Sequence, residues 1–258
     1  QVLLLIIFTN DIFCKAVIVS ELDNKTPERF LYIGNSYLYY NDSLHNHVRR
    51  MLEEYYKKDI DRGNYKSVTI SGSRLSDHNI EIGAQACSAY LKGAYTGDVS
   101  VEIISDIGCK YCLVGHSERR EFHNETNDIV KKASTLLLTK NIIPIICVGE
   151  SLEIRNKKIT NEFIKNQIRE CIPDKLSSNL IIAYEPLWAI GTGVIPNYEE
   201  IFNIHNIIMD ELSHIENLKV IYGGSVNNEN CSKIFELKTV HGALIGGSSL
   251  KFKDFLAI

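Results

Sequence analysis

The strongest constraint in this chain is a series of short Val- and Ile-rich runs separated by longer amphipathic stretches. The runs are 30–34, 67–71, 81–84, 111–115, 142–148, 180–184, 219–222 and 243–246. They show little apolar–polar alternation, which predicts strands buried on both faces, as in a parallel sheet. The stretch 42–58 sets Leu44, Val48, Met51, Leu52 and Tyr55 on one helical face, and 128–140 and 198–214 repeat the pattern. Strand–helix alternation implies right-handed crossovers. Eight such strands predict an α/β fold, a closed (β/α)8 barrel rather than an open doubly wound sheet. One unit is short, because only nine residues, 72–80, separate Ser71 from Glu81. A crossover between parallel strands needs about a dozen residues, so the second helix is expected to be shortened or missing.

Composition narrows the class. The 258 residues carry 28 Lys+Arg and 32 Asp+Glu, a net charge of −4, with 45% hydrophobic residues. These are globular proportions and exclude a disordered or collagen-like chain. The slightly acidic balance argues against a nucleic-acid partner. No apolar run approaches the length of about 18 residues needed to span a bilayer, so no membrane partner is expected for the barrel. Seven cysteines, at 14, 87, 109, 112, 147, 171 and 231, are too sparse for a disulfide framework. The Cys109–Cys112 CxxC lacks the second pair or His ligands that a zinc site needs, and the cysteines read as structural thiols.

The first residues read differently. Residues 2–8 are an unbroken apolar run, and Cys14-Lys15-Ala16 offers small residues for cleavage after Ala16. That pattern is signal-like. Residues 1–27 are therefore expected to be a leader and linker outside the fold, and 28–258 the barrel domain. The leader implies a secretory route, with onward passage to a plastid, against the alternative of a cytoplasmic location.

In a (β/α)8 barrel the chemistry sits at the C-terminal ends of the strands. Glu185, at a strand end and followed by Pro186, is a rigidly aimed candidate base. Residues 186–193 have a stiff start, an apolar middle and a Gly-Thr-Gly end, as a hinged lid would. Gly223-Gly224-Ser225 and Gly246-Gly247-Ser248 are turns whose backbone N–H groups can hold a phosphate dianion. His116 follows Gly115 just before a helical turn, whose dipole favours a neutral imidazole able to donate a hydrogen bond. Singly, each is more often a satisfied polar residue or a plain turn. Their order on successive strands is what makes them a site.

The segments Gly-His-Ser-Glu-Arg-Arg (115–120), Ala-Tyr-Glu-Pro-Leu-Trp-Ala-Ile-Gly-Thr-Gly (183–193) and Tyr-Gly-Gly-Ser-Val (222–226) resemble those of the triosephosphate isomerases. So do Gly-Ala-Tyr-Thr-Gly-Asp (93–98) and Ile-Cys-Val-Gly-Glu (146–150). The resemblance implies a TIM barrel that interconverts dihydroxyacetone phosphate and D-glyceraldehyde 3-phosphate, in glycolysis and gluconeogenesis, without cofactor or metal. It implies Glu185 as the base, His116 as the neutral electrophile and Glu118 as a buried supporting carboxylate. It implies Gly191, Ser225, Gly246 and Gly247 at the phosphate and Asn35 near the carbonyl oxygen. It also implies a homodimer, with Thr96 reaching a twin subunit and Gln85 lining the interface.

One departure bears on the chemistry. Where the family's first strand reads Gly-Asn-Trp-Lys, this chain reads Gly34-Asn35-Ser36-Tyr37, and no Lys occurs between Lys25 and Lys57. Tyr37 is neutral near pH 7 and donates one hydrogen bond. Two smaller departures are Ala86 for the usual Asn, and His241 for the usual Asp. The expectation is an isomerase, either active or strongly impaired by the loss of the lysine. The alternative is a catalytically dead homologue that binds a phosphate ligand or a protein.

Overall fold

The computed structural model describes residues 4–8, 30–33, 80–174, 176, 179–190, 194–250 and 252–258. Eight strands close into a barrel in chain order. They are β1 (Leu4–Phe8), β2 (Phe30–Ile33), β3 (Ile80–Ala84), β4 (Tyr111–Val114), β5 (Ile143–Val148), β6 (Ile181–Tyr184), β7 (Lys219–Tyr222) and β8 (Gly242–Ile245). From β2 to β8 every pairing is parallel. The helices are α1 (Val101–Ile107), α2 (Ser117–His123), α3 (Asn127–Thr139), α4 (Leu152–Asn156), α5 (Thr160–Cys171), α6 (Tyr198–Glu211), α7 (Cys231–Phe235) and α8 (Phe252–Leu256). The fold is the expected α/β barrel of the TIM class, with one correction.

The correction concerns the N-terminal run, expected to stand outside the fold. Leu4–Phe8 is a strand, antiparallel to both neighbours, with Leu4 opposite Ile33 and Leu5 opposite Ile245. The physical reason is that the apolar core of a leader and a strand buried on both faces carry the same pattern. Such a run also pairs the backbone groups that β2 and β8 would otherwise leave open at their edges. β2 pairs directly with β3, Phe30 opposite Ile80. The helix expected at 42–58, the strand at 67–71 and the short unit at 72–79 lie outside the described residues.

Strand side chains divide by parity into two cores. Tyr111, Leu113, Ile145, Cys147, Ile181, Ala183, Ile221 and Leu244 form a cluster made only of strand residues, the barrel interior. Their neighbours Cys112, Val114, Ile146, Val148, Ile182, Tyr184, Val220 and Tyr222 pack instead with helix residues. The three longest helices bury one stripe each: Val130, Ala133 and Leu137 from α3, Ile164, Ile168 and Cys171 from α5, Ile201, Ile204 and Ile208 from α6. These are the 3.6-residue spacings read in the sequence. Helix starts follow cap chemistry. Thr126 accepts from the Ile129 N–H, and Asn197 with Glu200 forms a reciprocal capping box.

The parity has a consequence at the barrel mouth. Continuing the inward series by two residues reaches Gly149 after Cys147, Glu185 after Ala183 and Gly223 after Ile221. A methyl group at Gly149 would lie 1.7 Å from the Glu185 carbonyl oxygen, and one at Gly223 would lie 2.8 Å from Glu185 Cγ. The missing side chain of Gly149 thus makes room for the Glu185 backbone, and that of Gly223 for its side chain.

Beyond β4 the chain turns through Gly115 at φ 69°, in the left-handed region. A Cβ there would meet Arg120 Nη2 and Val130 Cγ2, each at 2.7 Å. Gly115→Ala should therefore lose about 2–4 kcal/mol from backbone strain and overpacking together. Urea unfolding measures it, and a loss under 1 kcal/mol would contradict this account of the turn.

Candidate active site

His116 and Glu185 meet across the mouth of the barrel. His116 is the N-cap of α2, and its Nδ1 accepts the Glu118 backbone N–H at 3.3 Å. A ring nitrogen that accepts cannot carry the proton, so in the neutral ring the hydrogen sits on Nε2. That Nε2 lies 3.1 Å from Glu185 Oε1. The contact is close but not aligned as a hydrogen bond, and buried Oε1 has no hydrogen-bond donor. The other oxygen, Oε2, accepts the Ser117 backbone N–H at 3.0 Å.

Glu185 is 2% exposed. Burial pushes its carboxyl above the usual carboxylate range, with His116 and the Ser117 N–H partly offsetting the rise. The Cys147 thiol stands beside it, itself pushed up by burial and then by the Glu185 charge. The result is a poised base: one oxygen anchored, one free, and a donor-bearing imidazole alongside.

The turn that carries His116 is braced from below. Gly115 N–H donates to Glu125 Oε2 at 3.1 Å, and Glu125 Oε1 pairs with Arg119. Glu118, expected to be buried, is exposed. It stands in the first turn of α2, a helix that buries none of its residues, so its carboxylate faces outward while only its N–H serves the site.

The turns after β6, β7 and β8 are tied to one another by serine hydroxyls. Ser225 Oγ donates to Ala189 O at 2.9 Å, tying the turn after β7 to the segment after β6. Ser248 Oγ donates to Val226 O at 2.9 Å, joining the turn after β8 to the same place. Gly246 follows β8 and exposed Gly247 opens a 3-10 turn, Gly247–Leu250. Leu187–Ala189 forms another 3-10 turn at the start of the expected lid. Its Trp188 Nε1 donates to buried Glu150 at 2.8 Å, and Tyr184 OH reaches both Glu150 oxygens at 3.2 Å. Burial raises the Glu150 carboxyl, and these donors partly offset it. Arg155 stacks 4.0 Å over the Trp188 ring.

Gln85 is half-buried at the base of a projecting loop, and Thr96 is exposed near its tip. Ser88 N–H closes that loop on Val99 O at 2.8 Å, and Tyr90 stacks on Tyr95 at 4.2 Å. Asn35, Tyr37 and Gly191 lie outside the described residues. Of the described cysteines, Cys109, Cys112, Cys147, Cys171 and Cys231 are buried and Cys87 half-buried, all as free thiols. Burial raises Cys109 to about 11, which keeps it a protonated thiol. A groove of about 820 Å³ lies at the opposite, N-terminal end of β5 and β6, lined by Lys131, Thr135 and Asp174 among others. Lys131 and Asp174 pair with each other there, and none of the site residues reaches it. Sequence reading did not single out Cys147, Gly149 or the Ser117 N–H. Their signal was the parity that runs from Ile145 and Ala183 to the strand ends.

A barrel with a buried carboxylate facing an imidazole N–H, above paired glycine-rich turns, defines an enzyme that moves a proton on a small phosphorylated carbonyl compound. The model of the triosephosphate isomerase family matches residues 65–258. The triosephosphate isomerase of Thermus thermophilus is 41% identical over 193 residues, covering 71% of this chain and 77% of the relative. That of Hyphomonas neptunium is 42% identical over 195 residues, covering 73% and 78%. The crystal structure of triosephosphate isomerase from Bartonella henselae matches with a TM-score of 0.63 at 34% identity, covering 71% and 76%. The chain belongs to the triosephosphate isomerase family. Asn35 and Tyr37 precede the matched residues, so their assignment rests on the Gly34-Asn35 motif alone.

The raised carboxyl of Glu185 carries a stability consequence. A group whose folded pKa exceeds its unfolded value stabilises fully below the unfolded pKa, and that contribution is lost as pH rises through the folded pKa. Glu185→Gln should therefore raise Tm relative to wild type at pH 7–8, with the gain vanishing near pH 4. An equal Tm difference at both pH values would mean that the carboxylate is not destabilised by burial.

Proposed function

We propose that this protein interconverts dihydroxyacetone phosphate and D-glyceraldehyde 3-phosphate through an enediolate. Glu185 Oε1 takes a proton from the substrate carbon beside the carbonyl. The electron pair left on carbon moves into the carbonyl oxygen, where His116 Nε2–H stabilises the developing charge. The proton of the adjacent hydroxyl passes to the former carbonyl oxygen by way of His116 Nε2, and as the new carbonyl forms Glu185 returns its proton to the former carbonyl carbon, which regenerates the base. Ser225, Gly246 and Gly247, with Gly191, hold the phosphate through N–H groups and turn dipoles. The observation that carries this reading is the division of labour at Glu185: Oε2 is held by Ser117 while buried Oε1 stays free beside His116 Nε2. The dead-homologue alternative is not favoured, because the family model it matches and the relatives it resembles are those of triosephosphate isomerases.

Tyr37 sets the level of activity in this reading. A neutral hydroxyl replaces a cation that would offset the phosphate and the enediolate, and losing one preorganised stabiliser costs on the order of 10²–10³ in rate. A coupled isomerisation assay on three proteins tests both points. Wild type should show measurable turnover. Glu185→Gln should lose about 10³-fold or more, and Tyr37→Lys should gain about 10²-fold. Turnover that survives Glu185→Gln would sink the assignment of the base.

We also propose a homodimer built on the loop after β3. Its support is the apolar tip, where Tyr90, Leu91, Tyr95 and Val99 are all exposed, around Thr96 and near Gln85. Sedimentation velocity should find a two-chain species at micromolar concentration. Thr96→Arg should shift it toward monomer, and an unchanged species would place the interface elsewhere.

A further inference from the structure

Arg120 takes no part in the chemistry above, yet its guanidinium lies directly beneath it. Its backbone N–H donates to His116 O at 3.0 Å, as a helical residue four positions on should. Its side chain then folds back under the turn. Nε donates to Gly115 O at 2.7 Å, Nη1 to Asn127 Oδ1 at 2.6 Å, and Nη2 to Cys147 O at 3.1 Å. Nη2 also lies 3.5 Å from Cys171 Sγ, whose thiol donates to Asn127 Oδ1 at 3.2 Å. Asn127 is in turn held by Glu170 at 2.7 Å.

The two carbonyls matter most. Gly115 is the residue before His116, and Cys147 carries the thiol that stands against the Glu185 carboxylate. One planar fork therefore joins the end of β4, which aims the electrophile, to the end of β5, which walls the base. Gly115 lacks a side chain because this guanidinium fills the space beneath it, Nη2 being 2.7 Å from where a Cβ would stand. A lysine could keep the charge but not make bonds in three fixed directions.

We propose that Arg120 is a positioning residue for the isomerisation, fixing His116 against Glu185 by clamping the ends of β4 and β5. The inference rests on the proposed activity, and its positive charge adds a second effect. The Arg120 charge favours ionised Glu185, so its removal raises the Glu185 carboxyl further.

Wild type, Arg120→Lys and Arg120→Gln are compared by kcat and KM per folded molecule, with Tm measured for each. Arg120→Lys should lose about 10- to 100-fold in kcat with KM changed less than threefold, because the phosphate turns lie on other strands. A merely structural role would lower Tm and leave kcat per folded molecule within twofold of wild type. That result, or a parallel tenfold rise in KM, would overturn the proposal. Titration of the Glu185 carboxylate, followed by infrared difference against Glu185→Gln, needs no turnover. It should move upward in Arg120→Gln, or in Arg120→Met if that variant folds better, and an unmoved titration overturns the proposal as well. If wild type shows no turnover that depends on Glu185, the isomerase reading fails, and this titration still decides whether Arg120 governs the base.

Discussion

A carboxylate held almost out of water with one oxygen lacking a hydrogen bond is the constraint on which this structure turns. Burying such a charge is unfavourable unless its remaining contacts are fixed in advance. The barrel supplies them by register. Ile181, Ala183 and Glu185 share one face of β6 and its extension, so the base lies in phase with the interior rather than with the helix layer. Of the in-phase positions on either side, Gly223 leaves space for its side chain and Gly149 leaves space for its backbone carbonyl. A shift of one residue in β6 would turn Glu185 toward the helices and put Tyr184 into the mouth. Pairing along the full length of β6, Ile181 opposite Lys219 and Ile145 opposite Ile181, is therefore a condition of function as well as of stability.

The electrophile depends on a different kind of element. His116 is placed by a helix start, and its tautomer follows from its being an N-cap. Satisfying the Glu118 N–H occupies Nδ1 and leaves the hydrogen on Nε2, which lies 3.1 Å from Glu185 Oε1. The same helix start offers the Ser117 N–H to Glu185 Oε2. A single helix terminus thus orients the electrophile and anchors the base. This explains why the segment after β4 is tied so heavily, by Glu125 to the Gly115 N–H and by Arg120 to the Gly115 carbonyl.

Much of this was legible in the sequence because it depends on short-range patterns. The run 219–222 was read to the residue and 180–184 to within one, and the helix expected at 128–140 begins one position earlier because Thr126, not Asn127, is the cap. His116 and Glu185 were found because each stands at a strand end beside Gly or Pro. What escaped depends on partners far along the chain. Leu4–Phe8 carries the pattern of a leader and of a strand alike, and only the open edges of β2 and β8 decide between them. Glu118 was expected to be buried, but helical phase in α2 turns it outward. Arg120 was visible as a letter in a motif, whereas its work at Cys147 and Cys171 appears only once β5 and α5 are packed beside it.

The placement of the arginines bears on what the neutral Tyr37 means. Near the base stand Arg119 and Arg120. Arg119 is bound to Glu125, and Arg120 has its Nε, Nη1 and Nη2 engaged beneath the turn. Freeing either would leave a buried acceptor unpaired, at a cost of about 1–3 kcal/mol. Neither can turn toward a substrate cheaply. The stretch 26–56 contains no lysine, so the family's strand-one lysine has no lysine replacement from that segment. In the proposed reaction, negative charge developing on a triose phosphate is met by N–H groups and turn dipoles at Gly246, Gly247, Ser225 and the start of α2, together with the His116 Nε2–H. Such donors are fixed and partly desolvated, the condition under which uncharged dipoles stabilise an anion most. Turnover in this chain should accordingly be more sensitive to the geometry of those donors than in a relative that keeps the cation, because they share the charge among themselves.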